Sequence, residues 1–349
     1  MELPSVRCSR PCSALTLKSN LWTCFVRMLV KHGVQHYGFM PETYVLPTQL
    51  SLYEEALRRE VAQNNRSTWI LKPAAAYCGR GIFLHRTSQS LTGEGADVLV
   101  DQILDHKGVA CRYIDPPFLL DGLKSDIRLY VLVTSWHPLV VYLYDEGLAR
   151  FATEPYDNRA IDRRCMHLTN YSLNKHSKNF VRNTNEEEDG AGSKWSLSAF
   201  KRRLRAEIGE ARADKCWRDV DDMVTKAVIA AEPTVHESMR AYIPAAYRGE
   251  PNRQCFQVYG FDVMFDADAK PWLLEVNLDP ALVPQPADRT QRLSTLALAS
   301  RSPRLPVFSP PSLLPSSPST MLPSYTPPTL LPHFLHSSPI LIRQNALLT

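Results

Sequence analysis

Tyr259-Gly260-Phe261-Asp262-Val263-Met264-Phe265 and Trp272-Leu273-Leu274-Glu275-Val276-Asn277 decide how the chain is read. Apolar residues alternate on both sides of the polar link Asp266–Lys270, the pattern of a β-hairpin. A turn centred between Asp268 and Ala269 sets Asp262 opposite Glu275, and Glu275 shares a face with Asn277. Two carboxylates and an amide then meet on one patch of a largely apolar sheet. Like charges facing each other destabilise a bare sheet, and burying them unpaired is costly. A divalent cation removes both objections. Ligands that are all oxygen suit Mg2+ better than Zn2+, and Mg2+ commonly arrives with nucleotide phosphates. The rival reading is a solvent-facing strand edge.

Three upstream segments carry matching chemistry. Thr68-Trp69-Ile70-Leu71-Lys72 is an apolar strand ending in lysine. The small-residue loop Pro73–Gly81 follows it, able to fold over phosphates but lacking the Gly-Lys-Ser/Thr of a Walker A loop. In Lys124-Ser125-Asp126-Ile127-Arg128, alternation puts Lys124, Asp126 and Arg128 on one face of a strand running to Val133. Arg128, with Arg150 further on, offers bidentate contacts to an oxyanion; ion pairs within the sheet are the alternative. His167–Lys175 is dense in hydrogen-bonding groups and on composition alone has no assigned role.

The surrounding pattern is mixed α and β. Helices are expected at 20–32, 52–63, 197–213 and 217–231, and strands at 43–46, 82–85, 109–114 and 127–133. Residues 139–144 and 148–152 flank Asp145-Glu146-Gly147, which reads as a hairpin turn. Beyond about residue 284 repeated Pro/Ser/Leu stretches replace this pattern. Proline lacks a backbone donor, so the tail is expected to be disordered or polyproline-II and without regular secondary structure.

The chain has 349 residues, 44% hydrophobic and 22% charged, a globular composition. No run of ~18 apolar residues suggests a membrane span. Pro4, Arg7, Arg10, Pro11 and Lys18 interrupt any secretory leader. The eight cysteines form no CxxC pair and read as reduced cytosolic thiols. Of 40 basic and 36 acidic residues, five arginines and one acid lie beyond residue 285, leaving 35 of each before it. Attraction to an acidic partner must come from local patches, such as Lys201, Arg202, Arg203 and Arg205, or Arg163 and Arg164.

Taken together, these segments resemble the tubulin tyrosine ligase-like family of ATP-grasp amino-acid ligases, over roughly residues 15–282. The matching blocks are Trp69–Ile82, Arg112–Leu120, Lys124–Val133, His167–Lys175 and Gly260–Asn277. Gly147–Thr153, the intact Asn170–Lys175 segment and Gly192–Ala199 are similar to the polyglutamylase branch. The resemblance implies an α/β (α+β) ATP-grasp fold with the nucleotide between lobes. Its expected parts are a shortened N-terminal lobe at 14–66, a central lobe at 67–122, a C-terminal lobe with the metal site at 123–284, and the tail at 285–349.

Residue by residue, the resemblance places Lys72 and Lys124 on ATP phosphates, with Arg80 and Gly81 in the covering loop. Tyr113 and Ile114 lie beside the adenine, and Asp262, Glu275 and Asn277 hold Mg2+. Asp126, Arg128, Arg150, His167, Thr169 and Asn170 face the reacting groups. Lys175 attracts the incoming glutamate, and Lys18 approaches the nucleotide. The implied reaction phosphorylates a glutamate γ-carboxylate on tubulin's acidic C-terminal tail, and free L-glutamate then displaces the phosphate. The implied setting is the cytoplasm and cytoskeleton, with the cilium or basal body included. Microtubules are the partner, with no nucleic acid or membrane, and the chain is monomeric. Cys78 and Asp279 depart from the family pattern, and the family core usually continues past residue 284. Glycylation, tyrosination and a truncated, inactive microtubule-binding chain are the rivals; a protein kinase is disfavoured because no H-R-D or D-F-G segment occurs.

Overall fold

A computed structural model describes residues 6–7, 13–65, 67–74, 79–87, 107–182, 189–241, 248, 255–278, 280–281 and 339–340. The chain begins with β1 (Val6–Arg7), α1 (Ser13–Thr16), α2 (Lys18–His32) and α3 (Val34–Tyr37). In α2, Leu21, Trp22 and Phe25 are buried at helical spacing, and Gly33, at φ 83°, ends it by donating to the Leu29 carbonyl.

Next come β2 (Thr43–Leu46), α4 (Leu50–Ala62), β3 (Thr68–Pro73), β4 (Phe83–Arg86) and β5 (Gly108–Arg112). These strands form an antiparallel sheet in the order β2-β5-β3-β4. β2, grouped with 14–66 on sequence grounds, therefore hydrogen-bonds into the sheet built from 68–112. Period-two alternation divides β3. Trp69 and Leu71 pack with Tyr53 and Leu57 of α4, while Ile70 and Lys72 face the other way.

The remaining elements are β6 (Leu119–Leu120), β7 (Leu123–Trp136), β8 (Leu139–Phe151), α5 (Arg164–His167), α6 (Tyr171–Asn174), β9 (Lys194–Ser196), α7 (Leu197–Ile208), α8 (Glu210–Arg240), β10 (Cys255–Phe265), β11 (Pro271–Leu278) and β12 (Pro339–Ile340). The second sheet runs β1-β10-β7-β8-β12, with β11, β6 and β9 attached to β10, β7 and β8. All its pairings are antiparallel except β1 with β10. Its inward residues Ile127, Leu129, Val131, Val133, Phe261 and Val263 pack in one core with α2, α7 and α8. The mixed α and β class expected from sequence is observed, with antiparallel sheets.

Four expectations are corrected. Asp145-Glu146-Gly147 is not a turn; β8 runs through it, and the reversal lies at His137-Pro138. Leu143 pairs with Val131 and Gly147 with Leu129, so the polar residues occupy a bulge opposite Tyr130. Gly147 is needed for close approach: a Cβ there would lie 2.3 Å from the Arg128 carbonyl oxygen. The Ser196 hydroxyl caps α7 through the Ala199 N–H, but α7 stops at Gly209, at φ 81°, short of residue 213. From there α8 runs on through Pro233, because Val235 and Met239 extend its buried stripe beyond residue 231. In the expected tail, Pro339 and Ile340 pair with Tyr142 and Val141, a short departure from a tail without secondary structure. The rest of the tail lies outside the described residues.

Among the described residues no helix is long and apolar enough to cross a membrane. Gly147→Ala is expected to cost about 1–3 kcal/mol through forced separation of β7 and β8. Thermal unfolding checks this, and an unchanged melting temperature would contradict the close approach.

Candidate active site between the two sheets

The lower-numbered sheet turns Ile70, Lys72 and Cys111 toward the larger sheet, which turns Lys124, Asp126, Asp262, Met264, Leu274 and Glu275 toward them. Tyr113 and Ile114 follow β5 at the seam, and His167–Asn170 closes one side. The cleft is open, and about 690 Å³ of empty space, part of it bulk solvent, lies within its mouth. A smaller adjoining cavity of about 320 Å³ has Lys18, Lys72 and Trp22 in its wall.

The β10–β11 ribbon aims the carboxylates. Near the turn Val263 pairs with Leu273 and Phe265 with Pro271, so the turn centres on Asp268 itself. That register alone would put Leu274 opposite Asp262. A bulge shifts the pairing by one residue, and Asp262 faces Glu275 after all. The same bulge lets consecutive residues Leu274 and Glu275 both line the cleft, while Leu273 and Val276 stay in the core. The Asn277 amide nitrogen lies 3.3 Å from Asp262 Oδ2 and 3.4 Å from Glu275 Oε1.

Three cations accompany these acids. Arg150 donates to Asp126 at 2.8 and 2.5 Å and reaches Asp262 Oδ2 at 3.0 Å. Arg128 grips Asp262 in bidentate fashion, its Nη2 at 2.9 Å. Lys18 Nζ lies 3.4 Å from Glu275. The protein itself thus answers the repulsion between facing acids, so that repulsion does not by itself demand a metal. The donor set still suits one: Asp262 and Glu275 offer hard carboxylate oxygens, and the Asn277 amide, whose nitrogen faces both acids here, would have to turn its oxygen to them to join in. Among the described residues no cluster of three or more His, Cys, Asp or Glu side chains has metal-binding geometry.

Burial pushes the Asp262 carboxyl up, but Arg150 and Arg128 outweigh it and hold the group well below the usual carboxylate range. Burial drives Lys124 down to about 7; Asp126 opposes the shift and Lys72 adds to it. Burial also lowers His167, favouring a neutral ring.

Of the residues singled out in the sequence, Lys72, Tyr113, Ile114, Lys124, Asp126, His167, Thr169, Asn170, Asp262 and Glu275 line the cleft. Arg128, Arg150 and Asn277 stand behind them in contact with Asp262. Both His167 ring nitrogens have protein partners, Tyr113 and Ala160, each at 3.0 Å. Arg80 and Gly81 are exposed beside the cleft. The loop they belong to is tied down by Arg164, whose Nη2 donates to the Gly79 carbonyl at 2.5 Å. Lys175 is exposed at the end of α6 and is not in the cleft wall. Residues 75–78, with Cys78, and Asp279 lie outside the described residues. Sequence reasoning missed Asn174, which accepts from Thr153 and donates to the Leu168 and Asn170 carbonyls, holding the 167–170 wall. It also missed Ile70 and Met264, each two residues from a marked polar residue and so findable by alternation.

The basic patches resolve as internal pairs. Arg163 pairs with Glu154, Arg203 with Asp121 and Glu207, and Arg205 with Asp214, while Lys201 sits over the Trp217 ring.

A family model for the tubulin-tyrosine ligase family matches residues 7–296. Human tubulin polyglutamylase TTLL5 is 39% identical over 270 residues, 77% of this chain and 19% of that protein. Tubulin polyglutamylase TTLL7 of Xenopus tropicalis is 36% identical over 256 residues, 72% of this chain and 26% of that one. A probable beta-tubulin polyglutamylase of Tetrahymena thermophila is 37% identical over 271 residues, 77% and 21%. The chain therefore spans about a fifth to a quarter of the length of these relatives.

As pH rises through about 7, Lys124 sheds its proton and the cleft loses a positive charge. Affinity for inorganic triphosphate is expected to fall across that range, and the fall should be shallower in Lys124→Met. Parallel slopes in equilibrium titrations from pH 6 to 9 would contradict it.

Proposed function

The chain belongs to the tubulin-tyrosine ligase family, and we propose that it is an ATP- and Mg2+-dependent ligase that adds glutamate to glutamate side chains in tubulin's C-terminal tails. The observation that carries this reading is the convergence of Asp262 and Glu275, with Asn277 behind them, on a cleft that also holds Lys72 and Lys124. The choice of glutamate and tubulin is supported by the names of the relatives, which are polyglutamylases.

In this reading Asp262, Glu275 and Asn277 hold the metal, and Lys72 and Lys124 hold the phosphates. Ile70, Ile82, Tyr113 and Ile114 supply the apolar side of the cleft for adenine. Bound Mg2+ would neutralise charge on the transferring phosphoryl group. The acceptor's γ-carboxylate takes the terminal phosphoryl group, and ADP leaves. The amine of free glutamate attacks the resulting acylphosphate, loses a proton and expels phosphate as the amide bond forms. Arg128 and Arg150 stand behind the cleft wall with their guanidinium groups on Asp126 and Asp262, so in this reading they fix those carboxylates and contribute positive charge to the second step at a distance, without touching its oxyanion. Microtubules are the setting in which such a chain meets its substrate, placing it at the cytoskeleton.

The test supplies microtubules, ATP, Mg2+ and labelled glutamate, glycine or tyrosine in parallel. Glutamate incorporation is expected, falling about 10²–10³-fold in Glu275→Gln with unchanged circular dichroism. Full activity in that variant would refute the metal assignment. Incorporation of glycine or tyrosine instead would refute the amino-acid assignment, and microtubule binding without turnover would refute the ligase reading.

A further inference from the structure

We propose that Tyr113 and His167 are positioning residues for Lys124, forming a one-directional hydrogen-bond chain that aims its ammonium group at a phosphate in the cleft. The inference rests on the nucleotide reading above and adds a role for two side chains whose functional groups face protein.

Three elements contribute. Lys124 lies on β7, Tyr113 follows β5 and is anchored through its N–H to the Thr68 carbonyl at 2.9 Å, and His167 ends α5. Lys124 is 6% exposed. Its Nζ donates to the Tyr113 hydroxyl at 2.8 Å and to the His167 carbonyl at 2.7 Å, and it sits 4.5 Å from the Tyr113 ring centroid. An ammonium has three donors and no acceptor, so these two contacts leave one proton for a ligand in the cleft that Lys124 lines.

The direction of the chain follows from its far end. The Ala160 carbonyl can only accept, so His167 Nε2, 3.0 Å away, carries the proton. In the neutral ring Nδ1 is then an acceptor, and the Tyr113 hydroxyl at 3.0 Å is its donor. That hydroxyl, having given its proton to Nδ1, receives one from Lys124. Tyr156, also beside Tyr113, donates its own proton to Asp115 at 3.0 Å, so its oxygen is a second acceptor for the Tyr113 hydroxyl; with either acceptor that hydroxyl still receives from Lys124. Each link fixes the next, and the lysine is held against both sheets at the seam where a phosphate would bridge them. His167 thereby acts through Tyr113 and Lys124, with its ring nitrogens turned away from the reacting atoms.

Tyr113→Phe tests the chain because it keeps the ring and removes only the hydroxyl. Equilibrium titration with ATP and with adenosine is expected to show a roughly three- to tenfold loss for ATP, the scale of one hydrogen bond, and no change for adenosine. In a Lys124→Met background the same substitution is expected to cost nothing further. His167→Phe, should Tyr113→Phe fail to fold, is expected to show the same ATP-specific loss, again absent in the Lys124→Met background. An equal loss for adenosine, an undiminished loss in the Lys124→Met background, or no loss at all would overturn the assignment. The titration needs no turnover: ATP binding with this coupling but no glutamate incorporation sinks the ligase reading alone, whereas incorporation without coupling sinks only the positioning role.

Discussion

A line of alternating charges, Asp126–Arg150–Asp262–Arg128, ties three adjacent strands together and sets everything around it. Its members are direct cross-strand neighbours: Asp126 opposes Arg150 across β7 and β8, and Asp262 opposes Arg128 across β10 and β7. Both aspartates are almost wholly buried. A buried carboxylate is tolerable only when paired and hydrogen-bonded, and stripping one partner leaves the other's desolvation uncompensated. Slipping either strand by one residue would break the pairs and also turn the apolar residues of β7 and β10 out of the core. The register that buries Leu129, Val131 and Phe261 is therefore the register that assembles the charged face.

On this frame the site depends on two local irregularities. The bulge in β11 turns Glu275 to the cleft beside Leu274, which strict alternation would not allow. The bulge in β8 takes up Asp145 and Glu146 without ending the strand, and brings Gly147 against the Arg128 backbone. A ligase chemistry of the kind proposed needs acids, cations and phosphate-holding lysines within one ligand's length. Two sheets meeting at the seam of Tyr113 bring these groups together.

Much of this was legible beforehand. Lys124, Asp126 and Arg128 on one face, and Lys72 at the end of its strand, follow from period two alone. The facing of Asp262 and Glu275 was also right, though reached through a turn one half-residue out of place and a bulge that compensates. Asp145-Glu146-Gly147 misled because its composition matches a turn, while the glycine answers to steric crowding from a neighbouring strand. Charge in a sequence likewise does not reveal the acids packed beside it, such as Glu154 at Arg163 or Asp214 at Arg205.

The amino-acid order by itself determined the mixed class, most strand positions and which polar residues share one face of a strand. These depend on periodicity and local backbone preference, which act over a few neighbours. Only the tertiary structure decided that Arg128 and Arg150 answer Asp262, that Lys18 reaches Glu275, and that both nitrogens of His167 are committed to Tyr113 and Ala160. Those partners lie on different strands and helices, and the free energy of a charged or hydrogen-bonding group is set by whatever the fold brings within about 3 Å of it.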